Sequence, residues 1–412
     1  MSFRRQLWST AAVLALLLTT KCAGAADDWP GWRGPQANNH SAATQPPTHW
    51  SKDENIAWSV EVPGRGHASP CVWGDQIFLA TADDEQDTQS LLSFDRHSGE
   101  LRWQSQLHQG KLPAIHANNS QASATAACDG EAVFVPLVSD DQLWLSSVDP
   151  KGAIRWQERI GGFRHANGFG ASPVLYGETV IVLSDNQEDP GLVALARSDG
   201  HVVWRTERPN SDNSATPVVA RVAGRDQLLV NGAKSANSYD PATGQELWHV
   251  THECEVAANT MAFDDECVYA SGNVPQKMLM AIRADGSGDV TDTHVLWNLN
   301  RANPYVPSPL VIGDRLITVL DNGTVFCRES KTGDEVWKRR LSGNFFSSPV
   351  LAGEHVYVVS ELGIVYVFDA GEKFKSVAEN DVGETCMATP AICDDAIYLR
   401  TTTHLVCIRE GN

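Results

Sequence analysis

The chain has 412 residues, of which 42% are hydrophobic and 20% charged, and it contains 32 Gly, 20 Pro and 13 Trp. This is an ordinary globular composition, which excludes disordered, collagen-like and multi-pass membrane proteins. The formal net charge is -19, from 32 Lys and Arg against 51 Asp and Glu. So acidic a chain lacks the basic surface expected of a nucleic-acid-binding protein.

The first 25 residues are typical of an export signal. Arg4 and Arg5 precede an uninterrupted apolar run over residues 11–18, and residues 23–25 (Ala-Gly-Ala) form a cleavage site. The apolar run is too short to span a bilayer, and no other stretch reaches the ~18–20 residues that a transmembrane helix needs. The sequence therefore predicts an exported protein of the periplasm, cell envelope or extracellular space, by the general or the twin-arginine route.

A short motif recurs along the rest of the chain, at a mean step of about 46 residues. It consists of a small residue, then Ser, Thr or Asn, and usually Pro. The eight instances are Ala68-Ser69-Pro70, Ala122-Ser123-Ala124, Ala171-Ser172-Pro173, Ala215-Thr216-Pro217, Ala258-Asn259-Thr260, Pro307-Ser308-Pro309, Ser347-Ser348-Pro349 and Ala388-Thr389-Pro390.

A second series, of tryptophans, runs out of phase with the first and predicts packing between neighbouring repeats. In five cases a Gly stands four residues before the Trp, which suits a tight turn with positive φ ahead of a strand. The tryptophans assigned this structural role are Trp58, Trp103, Trp156, Trp204, Trp248, Trp297 and Trp337.

Four short β-rich runs separated by turn residues fill each repeat, which is the spacing of a β-propeller blade. The last repeat stops at its third strand, residues 405–409, and a matching fourth strand stands at residues 56–62. Docking the two would close the ring and cover a bare strand edge. We therefore predict an all-β, eight-bladed propeller with four antiparallel strands per blade; seven blades with a free tail is the alternative. The predicted divisions are a signal peptide (1–25), an N-terminal arm (26–53) and one propeller domain (54–412).

Eight cysteines remain after the signal, and they are scattered rather than set in a disulfide framework. Several fall inside apolar strands, where a thiol behaves as a small hydrophobe. We expect mostly unpaired, buried thiols, with one or two disulfides left open. The cysteines are Cys71, Cys128, Cys254, Cys267, Cys327, Cys386, Cys393 and Cys407.

The loops that lead into the repeat starts ring the predicted channel mouth, and a His-Ala-Asn sequence occurs in two of them. Such imidazole, amide and aromatic groups suit a pocket for a small organic ligand or a partner protein. The alternative is that they only cap strand ends and stabilise turns. No catalytic residue and no metal site is predicted. The candidate ligand-binding residues are His67, His116, Asn118, His165, Asn167, Asn213, Asn259, Tyr305 and Phe345.

Acidic residues cluster in the loops between the second and third strands of the first three repeats. They are interpreted as a solvated surface, the alternative being a patch that attracts Ca²⁺. The residues are Asp83, Asp84, Glu85, Asp87, Asp140, Asp141, Asp185, Glu188 and Asp189.

The repeat starts and the D-x-x-T-G-x-x-x-W turn at residues 240–248 resemble the PQQ-like (pyrrolo-quinoline quinone) repeat of quinoprotein dehydrogenases and BamB-like outer-membrane assembly propellers. The segment Trp-Pro-Gly-Trp-Arg-Gly-Pro at residues 29–35 resembles the start of exported bacterial PQQ-like proteins, often from planctomycetes. The resemblance covers about residues 29–410 and supports the fold more strongly than an activity.

For function, the resemblance implies an exported, non-catalytic binding or scaffold propeller, in envelope assembly or protein–protein interaction, and we expect a monomer. The alternative is a divergent quinoprotein oxidoreductase of alcohols or sugars, which would need PQQ and Ca²⁺; otherwise no cofactor is expected. The adjacent Cys-Cys pair and the C-x-x-C-H haem motif of such enzymes do not occur. Lys21 stands before Cys22, where lipid attachment needs a small residue, so a BamB-like lipid anchor is not expected.

Overall fold

The computed structural model describes residues 28–52 and 54–411, so the predicted export signal lies outside the described residues. The described part contains 33 strands and one four-residue helix. Its sheets form eight blades of four antiparallel strands, with one short extra strand on blade four. This confirms the predicted all-β, eight-bladed propeller.

The blades follow one another along the chain, and within each the strands run from the channel outwards. A first strand, β1 (Ile56–Glu61), belongs to blade eight. Blades one to four contain β2 Cys71–Trp73, β3 Gln76–Asp83, β4 Thr88–Asp95, β5 Leu101–Gln109; β6 Ala127–Cys128, β7 Val133–Ser139, β8 Gln142–Val148, β9 Ile154–Gly162; β10 Val174–Tyr176, β11 Thr179–Ser184, β12 Gly191–Ala196, β13 Val202–Glu207; and β14 Val218–Val222, β15 Arg225–Asn231, β16 Ser235–Tyr239, β17 Glu246–Thr251.

Blades five to eight repeat the arrangement, except that the connection before the outer strand of blade five carries β21 (Gly288–Asp289), which pairs with β17, and the helix α1 (Thr291–His294). The strands of these blades are β18 Ala262–Phe263, β19 Cys267–Gly272, β20 Met278–Arg283, β22 Val295–Leu299; β23 Leu310–Ile312, β24 Arg315–Val319, β25 Thr324–Glu329, β26 Glu335–Arg340; β27 Val350–Ala352, β28 His355–Val359, β29 Ile364–Ala370, β30 Phe374–Asp381; and β31 Ala391–Cys393, β32 Ala396–Arg400, β33 His404–Arg409, with β1 outside.

The core lies between the blades, on the two middle strands of each. Strand β3 is buried at all but its two end residues, because blades pack against both of its faces. The outer strands β1 and β13 instead alternate between partly buried and exposed residues, since one row of side chains faces water. The hydrophobic clusters accordingly join residues of neighbouring blades, as in the contact between blade one and blade two.

Strand β1 closes the ring by pairing antiparallel with β33. The register places Trp58 opposite Cys407 and Val60 opposite Leu405. Without β1, the β33 edge would present a row of unpaired backbone groups to solvent. The predicted closure of blade eight by an N-terminal strand is therefore confirmed.

The tryptophan series joins seven of the eight blades to the next one, since the outer strand of blade seven contains no tryptophan. The ring of Trp58 packs on Gly99 of blade one, where the glycine has a φ of +76° and a Cβ would lie 2.6 Å from the indole. Trp248 differs: its indole donates to Gln227 of its own blade at 2.8 Å, because β21 and α1 replace the glycine turn of the next blade. In the other five blades the indole N–H donates to a backbone carbonyl of the next blade: Trp103 to Pro150, Trp156 to Arg197, Trp204 to Pro241, Trp297 to Ser330 and Trp337 to Gly371.

Residues 28–52, called the N-terminal arm from here on, cross the face of the ring where the first strands end. Trp29 pairs its backbone with Val72 of blade one, and Asn39 accepts the N–H of Leu351 in blade seven. The arm then reaches blade eight, where Thr44 N–H donates to Asp395 at 2.9 Å. Trp29 is 2% exposed, so the arm is anchored by a large buried side chain.

The cysteines agree with the preferred sequence interpretation. All eight are buried, and no disulfide occurs among the described residues. Burial raises the pKa of Cys386 to about 12, so that thiol is protonated and inert at neutral pH.

Candidate functional site

A ring of hydroxyl groups surrounds the channel axis. One Ser or Thr per blade takes part, and in seven of the eight steps the backbone N–H of one residue donates to the hydroxyl of the next blade's residue at 2.9–3.0 Å. The ring residues are Ser69, Thr125, Ser172, Thr216, Thr260, Ser308, Ser348 and Thr389.

The remaining step lies between Thr216 and Thr260, where no such bond joins the described residues. There the Thr260 hydroxyl instead accepts the indole N–H of Trp32, at 2.9 Å. The N-terminal arm thus places an aromatic side chain across the channel at the level of the ring.

The ring corrects the sequence alignment of two repeats. In blade two the ring residue is Thr125 and not Ser123, whose hydroxyl donates to Asn119 within its own loop at 2.6 Å. In blade five it is Thr260 and not Asn259. Both segments carry two candidate polar residues in sequence, and only the backbone path decides which one faces the axis.

A cavity of about 430 Å³ opens at the channel mouth, between the loops that enter the first strands. Five of the predicted ligand-binding residues line it. His116 and Asn118 are exposed at its rim, whereas His67 and Tyr305 lie deeper and are partly buried. The predicted lining residues are His67, His116, Asn118, Asn167 and Tyr305.

Further lining residues were not among the predicted ligand-binding set. Trp32 and six residues of the hydroxyl ring contribute, together with Phe346, Met387, Val256 and Asp321. Trp32 also lines a second cavity on the other side of the ring, so its indole separates the two. The mouth cavity therefore has hydroxyl walls, an indole at the level of the hydroxyl ring, and an imidazole and amide rim.

Two predicted residues lie behind the cavity wall and position its loops. His165 stacks on Phe163, with ring centroids 5.9 Å apart, and its Nδ1 accepts the backbone N–H of Asn167 at 3.0 Å. Asn259 is buried and donates to the backbone carbonyl of Tyr305 at 3.1 Å. Both side chains hold a lining residue without lining the cavity themselves.

The other two predicted residues outside the cavity belong to the core. Asn213 donates to the Asp185 carboxylate at 3.0 Å and to the Asn231 carbonyl at 2.9 Å, in a buried network. Phe345 is fully buried against Tyr366. Because consecutive side chains of an extended segment point to opposite sides, Phe346 takes the place at the cavity that was predicted for Phe345.

The mouth cavity carries little charge. Burial, together with the nearby charges of Arg65 and Arg400, lowers the pKa of His67 to about 4, so the imidazole is neutral at pH 7. Burial raises the pKa of Asp321, whose carboxylate accepts the backbone N–H groups of Tyr305 at 2.9 Å and Val306 at 3.1 Å. This acid holds the Tyr305 loop in place, and no Lys or Arg lines the cavity.

These lining residues do not fit a PQQ and Ca²⁺ pair. The quinone carries several carboxylates, which would meet no cationic side chain in the cavity. Calcium needs six to eight oxygen ligands, commonly from several carboxylates. The described residues contain no group of three His, Cys, Asp or Glu side chains placed to hold a metal ion.

Three of the nine acidic residues in the loops at the same face form ion pairs. Asp141 pairs with Lys111 at 2.6 Å and Asp189 with Arg205 at 2.6 Å. Asp185 is buried and accepts both Nε of Arg208 at 2.6 Å and its terminal nitrogen at 2.9 Å. This buried pair locks the loops of blade three together.

The structure and the repeats define an eight-bladed PQQ-like propeller. A family model described as outer membrane protein assembly factor BamB matches residues 48–169, 116–293 and 289–402. The chain belongs to this BamB family. Among the described residues, no helix has the length and apolar character needed to cross a membrane.

Curated relatives agree with this assignment. The chain is 26% identical over 369 residues to the outer membrane protein assembly factor BamB of Bordetella pertussis, covering 86% of this chain and 84% of that protein. It is 22% identical over 219 residues to BamB of Shewanella oneidensis and spans 53% of that protein's length. It is also 20% identical over 273 residues to a tetrathionate hydrolase of Acidithiobacillus ferrooxidans, covering 61% of this chain and 52% of that protein.

Solved structures share the fold. BamB of Moraxella catarrhalis has a TM-score of 0.62 at 15% identity, over 86% of this chain and 97% of that one. A europium-containing methanol dehydrogenase has a TM-score of 0.68 at 12% identity, over 92% and 90% of the two chains. Identities this low show the fold alone.

Proposed function

We propose that this protein is an exported, non-catalytic binding propeller of the cell envelope, which holds a protruding loop of a partner protein in the mouth cavity. The observation that carries the proposal is the cavity itself, which is lined by aromatic, imidazole, amide and hydroxyl groups and by no Lys or Arg. Pockets of this composition bind by shape, stacking and a few directed hydrogen bonds.

The depth profile of the cavity favours a side chain that enters from outside. His116 and Asn118 stand exposed at the rim, where they can bond a partner's backbone. Phe346 and Tyr305 lie below them, and the Trp32 indole forms the floor. An aromatic or amide side chain on a partner loop would meet ring surfaces on the way in and hydroxyl groups at the base.

The cavity is also built to be rigid. The Tyr305 loop is held by Asn259 from one side and by the Asp321 carboxylate from the other. His165 fixes the backbone at Asn167. A preformed site binds with less loss of conformational entropy than a mobile one. The relatives named as assembly factors support a scaffold role, and the poor fit to PQQ and Ca²⁺ argues against the oxidoreductase alternative.

The test is recovery of partners from the native envelope. A tagged His116→Ala, Phe346→Ala double variant is expected to recover roughly tenfold less of a specific partner than the wild type, because the two changes remove one contact at the rim and one aromatic contact inside the cavity. The matched control is His97→Ala, Leu101→Ala, which removes an exposed imidazole and an exposed apolar side chain from the outer rim of blade one. Circular dichroism and melting curves verify that both variants fold.

Two outcomes would overturn the proposal. One is equal partner recovery by the wild type and the mouth variant, quantified by mass spectrometry after crosslinking. The other is a bound quinone spectrum with dye-linked oxidation of an alcohol or sugar when PQQ and Ca²⁺ are added to the purified protein, which would establish the oxidoreductase function instead.

A further inference from the structure

Each first strand carries a backbone position that faces the channel, three residues after the hydroxyl-ring residue. In blade one this position is Val72, whose N–H and C=O both bond to Trp29 of the arm. In blade seven it is Leu351, which donates to Asn39 and accepts from Ser41. The arm thus uses these positions as short sites of β-pairing.

The arm occupies five of the eight such positions. In blade two, Cys128 N–H donates to the Pro30 carbonyl at 2.8 Å. In blade six the Val311 carbonyl bonds to His40 at 2.7 Å, and in blade eight the Ile392 carbonyl accepts the Ser41 hydroxyl at 2.6 Å. The occupied positions are Val72, Cys128, Val311, Leu351 and Ile392.

The three remaining positions, in blades three, four and five, are Leu175, Val219 and Phe263. No hydrogen bond of the described residues joins them to the arm. Each pairs with its second strand in the same register as Val72 does, so its N–H and C=O point to the channel. All three side chains are partly exposed, whereas four of the five positions that the arm occupies are buried, Leu351 being the exception.

These three positions line one cavity of about 660 Å³, on the opposite side of Trp32 from the mouth cavity. We call it the lower groove. Its other wall is the turn of the arm at residues 31–38, which Arg33 fixes by donating to the carbonyls of Ala37 at 3.0 Å and Pro309 at 3.0 Å. The groove is therefore a rigid continuation of the path that the arm follows around the ring.

We propose that the lower groove binds an extended peptide segment of a partner protein. The segment would pair its main chain with blades three to five as the arm pairs with the others. An extended residue occupies roughly 3.3 Å along its strand, 4.8 Å between strands and 10 Å between packed sheets, or about 160 Å³. A groove of about 660 Å³ therefore holds about four extended residues. Arm residues Trp29 and Pro30 reach adjacent blades one residue apart, so four residues suffice to cross three blades.

The walls indicate the side chains that such a segment carries. Leu175, Val219 and Phe263 are apolar and Ala220 and Ala262 between them are small, whereas Arg33, Arg221, Asp264 and Asp265 line other parts of the groove. A charged side chain buried against the apolar stretch would lose its hydration without a partner there. The segment is therefore short and carries small apolar residues where it meets blades three to five, and main-chain hydrogen bonds supply its affinity. The chain's own arm is not this occupant, because residues 29, 30, 39 and 41 pair their backbone with other blades and the turn at 31–38 is closed by hydrogen bonds within the arm.

The test uses linear hexapeptides displayed on phage, selected on the wild-type protein. Enriched peptides are synthesised and titrated, and their footprint is mapped by hydrogen exchange. We expect slower exchange in the segments that contain Leu175, Val219 and Phe263, and no change at Tyr305 in the mouth. N-methylation of a central peptide bond is expected to weaken binding roughly fivefold, since it removes one hydrogen bond.

A variant pair provides the control. Val219→Glu places a charge in the lower groove and is expected to weaken binding at least roughly tenfold. Val203→Glu adds the same charge to the outer strand of blade three, where the side chain is 47% exposed, and is expected to have no effect. Should Val219→Glu fail to fold, the N-methylated peptides still test the pairing.

Enrichment of no peptide, a footprint at the mouth, or binding unaffected by N-methylation would each overturn the proposal. A footprint at the mouth would leave the proposed partner site there intact, because the two cavities lie on opposite sides of Trp32. A second copy of this chain as the occupant would show as concentration-dependent dimerisation abolished by Val219→Glu, and would also overturn it.

Discussion

Substitution of Gly99 by Ala tests how tightly Trp58 seals the ring. A Cβ at Gly99 would lie 2.6 Å from the Trp58 ring, and the backbone there has a φ of +76°. The left-handed conformation costs a residue with a side chain ~1–2 kcal/mol, and overpacking adds ~1–3 kcal/mol. Gly99→Ala should therefore lower the free energy of unfolding by roughly 2–5 kcal/mol.

Gly74→Ala is the matched control in the same blade. Gly74 also has a positive φ, of +54°, but a Cβ added there would meet no atom within 4 Å. It should cost only the ~1–2 kcal/mol of the backbone conformation. Equilibrium urea unfolding, followed by circular dichroism, gives both values at a common denaturant dependence.

Replacing Trp58 by Leu completes the comparison. In that background the overpacking at Gly99 is relieved, so Gly99→Ala should cost no more than Gly74→Ala. The reasoning is refuted if Gly99→Ala is no more destabilising than Gly74→Ala in the wild type, or if its excess cost persists without the Trp58 ring.

Three further predictions concern a buried ion pair of blade three and two residues of the mouth cavity. Arg208→Met should destabilise the fold by about 3–5 kcal/mol in urea unfolding, because it leaves the buried Asp185 carboxylate without its cation; adding Asp185→Leu should recover part of this loss. The folded pKa of His67 is about 4, below the ~6.5 of an unfolded histidine. Its unfolded form therefore takes up the proton first, and stability should fall as the pH drops from about 6.5 to about 4. His67→Gln should show a shallower fall over that window, and an identical pH profile would contradict this. Trp32→Phe should cost about 0.5–1.5 kcal/mol, seen as a lower melting temperature, since it removes the hydrogen bond to Thr260; an unchanged melting temperature would count against the bond.

The fold could be predicted from the sequence because the same short motifs recur from blade to blade. The Ser or Thr of each start and the tryptophan of seven outer strands occur at matching intervals, and each makes the same contact in most blades. Closure could be predicted because the last repeat lacks one strand and the residues around Trp58 provide it. These features are visible in the local composition and spacing of the sequence, so they can be recognised without any distance between residues.

The site could be predicted only in part, because its residues lie in loops that do not repeat. His116 and Asn118 line the mouth cavity, yet His165 of the equivalent His-Ala-Asn turns behind the wall to stack on Phe163. Phe345 and Phe346 are adjacent and chemically identical, so the sequence does not show which of the two lines the cavity. Asp321 is in a second-to-third-strand loop outside the acidic sector of the first three repeats, and the sequence contains no sign that it would bond the Tyr305 loop.

The pairing of β1 with β33 determines when the ring can close during synthesis of the chain. A polypeptide is made from its amino end, so β1 emerges before blade one, and its partner β33 emerges after blade seven. Until β33 is made, β1 has no pairing strand. The arm that precedes β1 also lacks the backbone carbonyls of blades six to eight to which it bonds. The ring can therefore close only after all eight blades have been synthesised. A product truncated before β33 cannot close it.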